Sequence, residues 1–242
     1  MILQTHDLWR KFGGVAAVAG VDFELEEGEL RCLIGANGAG KSTFFKMLTG
    51  QLKPSSGRIT LFDEDVTGRS PHEINRRGVG IKTQVPNLFN SLSVRENLYI
   101  AARRVQPQAE ADRNADAMLE EIRMTEQAHE PVGNLSHGHR QWVELGMILI
   151  NQPRLVLLDE PAAGMTAGEI ERTVALLERL RGKQTFIIVE HDMHFIRRIA
   201  EKVTVFHRGQ ILAEDTMENV LKNQAVRDAY LGKYGSTEVK NG

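Results

Sequence analysis

Residues 30–34 form an apolar run that carries Arg31 and Cys32 within it, and it passes straight into Gly35-Ala36-Asn37-Gly38-Ala39-Gly40-Lys41-Ser42. The eight-residue string fits G-x-x-x-x-G-K-[ST], in which backbone N–H groups wrap around phosphate oxygens. Residues 42–48 then follow a helical pattern, and Gly50 is placed to end that helix. A buried strand, a glycine-rich loop and a helix in this order leave few folds open. The anion must sit at the helix N-terminus, and the strand must be fully buried.

The rest of the chain supplies further strands. Residues 2–12 read as β-rich, residues 21–25 alternate apolar and polar, and Glu27-Gly28 reads as the turn before the first buried strand. Pro54-Ser55-Ser56-Gly57 is a turn before a short strand over 58–62. From 94 to about 149 the texture is helical. Ala111, Ala115, Met118, Leu119 and Ile122 fall on one face, and Pro131-Val132-Gly133 breaks the chain before a second helical run over 140–150. Strands over 155–158 and 185–189 alternate with helices over 169–181 and 193–200. A late hairpin joins 202–206 to 210–213. The expected architecture is an α/β core with an N-terminal β subdomain (1–84 and 151–231), a helical insertion over 85–150, and a loose polar tail over 232–242.

Composition narrows the class. A formal charge of −2 argues against a broad electrostatic grip on nucleic acid, and none is expected as a partner. No apolar run approaches the ~18 residues that span a bilayer, and the first residues lack a basic segment with an apolar core. The single cysteine, Cys32, excludes an intrachain disulfide framework and suits a reducing compartment.

Two further motifs carry chemistry. Leu155-Val156-Leu157-Leu158-Asp159-Glu160-Pro161 is an apolar strand ending in two carboxylates at the edge where α/β sheets bind ligands. Asp159 is placed to hold Mg²⁺ and Glu160 to act as general base toward a water. In the loop, Lys41 is placed to reach the outer phosphates and Ser42 to ligate Mg²⁺. Leu135-Ser136-His137-Gly138-His139 precedes the second helical run; Ser136 is an ordinary helix cap whose geometry also suits a phosphate.

In order and spacing these three motifs resemble the ATP-binding-cassette (ABC) ATPases, whose signature is LSGGQ, over nearly the whole chain. The resemblance implies a P-loop NTPase fold of the ABC type and hydrolysis of ATP with Mg²⁺. It implies nucleotide contacts from Phe12 (stacked on adenine, in preference to Trp9), from Gly35, Ala36, Asn37, Gly38, Ala39, Gly40, Lys41 and Ser42, and from Thr43. Gln84 is similar to the glutamine that joins core to helical lobe and touches Mg²⁺, and His191 to the histidine that contacts the γ-phosphate. Ser136, His137, Gly138 and His139 would then act in trans on ATP held by a second ATPase subunit, a related chain or a copy. Two membrane permease subunits would dock near 85–97, a periplasmic solute-binding protein would act through them, and the chain would lie on the cytoplasmic face of the membrane.

Within the family the chain is similar to ATPases of branched-chain amino acid and urea importers, through residues 11–18 and 85–98. The run Leu135-Ser136-His137-Gly138 with Gln141-Trp142 and Gly146-Met147 resembles the urea-type subgroup, as does Ala163-Gly164-Met165-Thr166. The implied solutes are urea, short amides or branched-chain amino acids. His137 stands in place of a signature glycine, His139 in place of its glutamine, and Thr166 where many relatives carry Asp.

Overall fold

The computed structural model describes residues 1–83 and 87–231, so Gln84, the neighbouring 85–86 and the tail 232–242 lie outside the described residues. In chain order the strands are β1 (Leu3–Phe12), β2 (Val15–Leu25), β3 (Leu30–Gly35), β4 (Ser56–Leu61), β5 (Glu64–Asp65), β6 (Val79–Lys82), β7 (Leu155–Asp159), β8 (Thr185–Val189), β9 (Lys202–His207) and β10 (Gln210–Asp215). The helices that matter here are α1 (Lys41–Leu48), α2 (Pro71–Arg76), α3 (Val94–Arg103), α4 (Gln108–Glu121), α5 (His137–Leu149), α6 (Ala167–Leu180) and α7 (Met193–Ile199).

Two sheets result. An antiparallel sheet runs in the order β2-β1-β4-β5, and a second runs β10-β9-β3-β8-β7-β6, parallel except for β10. The parallel strands are apolar on both faces because both faces are covered. Along β7, Val156 and Leu158 enter the core shared with the helical lobe, while Leu155 and Leu157 enter the core shared with α1 and the antiparallel sheet. Phe186/Ile188 and Ile187/Val189 divide in the same way on β8, as a period of two requires. Arg31 is buried in β3, where its guanidinium meets Glu29, Thr204 and Glu214 and so fastens the late hairpin to the central strand.

The helical stretch resolves into α3, α4 and α5. The second run begins at His137, three residues before the sequence pattern predicts, because Ser136 caps it: its Oγ accepts from His139 N at 3.2 Å. β2 likewise begins well before the alternating residues 21–25, paired along most of its length with β1. α2 and β6 were not expected from sequence.

One buried side chain holds the entry to the helical lobe. Asn97 accepts from Phe89 N at 2.8 Å and donates to the carbonyls of Phe89 (3.1 Å), Leu92 (3.4 Å) and Ser93 (2.9 Å). Asn97→Ala leaves Phe89 N–H without its partner and removes the second bond to each carbonyl, which keep one backbone bond apiece, so we expect it to lower unfolding free energy by about 2 kcal/mol. Urea denaturation checks this.

Candidate nucleotide site

The loop after β3 is built to receive an anion. Gly40, the N-cap of α1, has φ +108°, and a β-carbon there would lie 2.5 Å from Ala17 O, so only glycine fits. No side chain caps α1 and its first turn holds no acid, so its N-terminal N–H groups remain to be satisfied. Ala36, Asn37, Gly38 and Ser42 are exposed; Gly35, Ala39 and Gly40 are buried, and Thr43 is half-buried. The Lys41 ammonium donates to Gly35 O at 2.6 Å and Ala36 O at 3.1 Å. Burial lowers its pKa, and the charges of Glu160 and Asp159 oppose that shift.

β7 delivers its two carboxylates to the same edge. Asp159 is buried, and burial, aided by the neighbouring Glu160 charge, pushes its pKa up to about 6. Its Oδ1 is buried with no hydrogen-bond partner, the state of an oxygen that lacks a cation or water. Among the described residues no group of three or more His, Cys, Asp or Glu forms a metal cage. The single carboxylate oxygen of Asp159 left unpartnered fits Mg²⁺, which takes one or two carboxylates and keeps most of its ligands as water and phosphate. Glu160 has φ +48°, a conformation that costs a non-glycine residue energy and recurs at functional sites. Its N–H donates to Val189 O at 2.9 Å, which fixes the turn against β8. Across that turn His191 Nδ1 lies 3.5 Å from Glu160 Oε1.

Glu190 was missed by sequence reasoning. It is buried at the end of β8, where one oxygen accepts from Ala162 N at 3.0 Å and the other from His191 N at 2.8 Å and Asp192 N at 3.2 Å. It therefore ties the segment after Glu160 to the turn that carries His191. An acid directly before a strand-end histidine was the available signal.

Lys41, Asp159, Glu160 and His191 are thus brought together. Phe12 stands at the turn from β1 to β2, half exposed, with the Arg10 guanidinium 4.6 Å from its ring centre. The β2 end of that hairpin reaches the loop through Ala17. Trp9 instead donates to Asp7 Oδ1 at 2.7 Å. Ser136, His137, Gly138 and His139 form a separate edge, packed on the 162–169 segment rather than on Lys41. The His137 Nε2 donates to Ala163 O at 3.1 Å, and neither histidine has positive φ, so the main-chain N–H groups of the segment keep helical direction.

The sequence and fold are similar to those of known proteins. A family model described as "ABC transporter" matches residues 18–163. The chain is 35% identical over 250 residues to the high-affinity branched-chain amino acid transport ATP-binding protein BraF of Pseudomonas aeruginosa, covering 96% of this chain and 98% of that one. It has the same identity and coverage with the protein of that description, LivG, of Escherichia coli K12. The structure superposes on the ADP conformation of MJ1267, an ATP-binding cassette of an ABC transporter, with TM-score 0.86 and 28% identity over 96% of this chain and 98% of that one.

Proposed function

The chain belongs to the ABC transporter family as an ATP-hydrolysing subunit, and from that premise we propose that it drives uptake of urea, short amides or branched-chain amino acids through partner membrane subunits. The observation that carries the reading is the meeting of Lys41, Asp159, Glu160 and His191 at one sheet edge. In this reading Lys41 and the N–H groups of residues 35–43 hold the phosphates, Phe12 stacks on adenine, Glu160 polarises the attacking water and His191 orients it. Ser42, Asp159 and Gln84, the last outside the described residues, hold Mg²⁺, which neutralises phosphate charge when bound. The core comprises 1–84 and 151–231, and the lobe 85–150 carries Ser136, His137, Gly138 and His139 to the ATP of a second subunit.

A groove of about 860 Å³ supports the permease contact. It runs between β6, α3 and α5, with Phe89, Ile100, Val105, Met147 and Ile148 among its lining. Phe89, Ile100 and Val105 are exposed there, apolar side chains suited to a protein partner. Among the described residues no helix is long and apolar enough to cross a membrane, so attachment to the cytoplasmic face would come through that groove.

The relatives named for branched-chain amino acid transport support the amino-acid solutes, whereas the run Leu135-Ser136-His137-Gly138 favours urea and short amides. The complex purified from its own membranes and reconstituted with its solute receptor distinguishes them. ATP hydrolysis is expected to rise several-fold with urea, acetamide or leucine. Stimulation by ribose alone would refute the solute class, and co-purification with ribosomes would refute the transport role.

A further inference from the structure

The edge formed by Ser136 to His139 is already engaged by an anion of the same chain. Gly138 is buried between exposed Ser136 and half-buried His139, and Glu169 covers it: a β-carbon at Gly138 would overlap the Glu169 carboxylate. Glu169 Oε2 accepts from Thr166 N at 2.8 Å and from Thr166 Oγ1 at 2.9 Å, which closes the capping box of α6. The nearby Ser136 and His139 side chains also favour its charged form. Together with Thr166 N–H, the largest influence, these hold its pKa below the ordinary carboxylate range. The His137 bond to Ala163 O also clamps the same two segments together.

We propose that Glu169 is a positioning residue that covers Gly138 and holds the first turn of α5 in cis, and thereby sets the ATP concentration at which two cassettes close. The proposal rests on the reading of Ser136 and Gly138 as contacts to a partner's ATP. Two anions cannot crowd one helix N-terminus without repulsion. The arriving phosphate must therefore displace the carboxylate, and closure is weakened by whatever Glu169 loses. Until then the carboxylate keeps Gly138 covered, while Ser136 Oγ caps α5 through His139 N.

The test uses the full chain carrying Glu160→Gln, alone and with its co-purifying ATPase partner. The measured quantity is the ATP concentration for half-maximal dimer by sedimentation velocity. Glu169→Gln keeps a capping-box side chain and removes the charge, and it is expected to lower the half-point about fivefold. That difference should narrow between about 50 mM and 500 mM salt, which a purely structural change would not do. An unchanged or raised half-point overturns the proposal. So does an equal fall in Thr166→Ala, which loses the cap but keeps the carboxylate. Ser136→Ala separates the layers: if it closes as readily as its parent, the trans reading itself fails; if it does not close while Glu169→Gln is without effect, only the role of Glu169 fails.

Discussion

Glu160→Gln is expected to reduce steady-state ATP hydrolysis about 10³-fold, within the range for loss of a general base, while ATP affinity stays within about twofold. The side chain sits on a backbone with φ +48°, held by its N–H bond to Val189 O. The glutamine amide fills the same space on the same backbone, so binding geometry is retained. What disappears is an oxygen able to take a proton from water, at the place where His191 Nδ1 approaches within 3.5 Å. ATP then binds and is not consumed, so a nucleotide-bound dimer accumulates, visible by size-exclusion chromatography with ATP and absent with ADP. The substitution also removes one of the three causes that raise Asp159, the second after burial and ahead of the Glu190 charge. The pH at which Asp159 takes up a proton should move down from about 6, readable by carboxyl NMR. Turnover at the parent rate would remove Glu160 from the role of base.

The parts of this site that were legible in the sequence are those whose chemistry is local. The strand, loop and helix around Lys41 are consecutive, and each step has its own residue signal: apolar run, glycines, helical spacing. Asp159 and Glu160 announce themselves by ending an apolar strand. β6 gave no such signal, because Val79-Gly80-Ile81-Lys82 is short and carries a glycine and a lysine, both poor strand formers. It is a strand because β7 pairs with it and because Lys82, buried, finds Glu144 of α5 at 3.7 Å. Glu190 was illegible for a related reason: its meaning lies in Ala162 N–H, remote in sequence and close only once β7 and β8 are side by side. The start of α5 was misplaced because His137-Gly138-His139 has weak helix propensity, and the Ser136 cap outweighs it. Glu169 over Gly138 is another such non-local pairing, which neither residue's sequence neighbours disclose.

Lys41→Ala is expected to weaken ATP binding about 100-fold, the size of a lost charge-assisted contact to phosphate, with little change in melting temperature. The ammonium is half-buried and bonded to the loop's own carbonyls at Gly35 and Ala36, so its removal costs two hydrogen bonds but relieves the desolvation that lowers its pKa. These opposing changes leave folding nearly level. Binding has no such compensation, because the phosphate chain would lose its one cation from the loop while Asp159 and Glu160 stay nearby as uncompensated anions. Lys41→Arg should not restore affinity, because the guanidinium presents a planar fork where the Lys41 ammonium acts as a point charge on a flexible stem. Isothermal titration with ATP on the Glu160→Gln background removes turnover from the measurement. Affinity within about threefold of the parent would mean that the loop's N–H groups alone hold the phosphates, and the anion site would then have to be assigned to α1 rather than to Lys41.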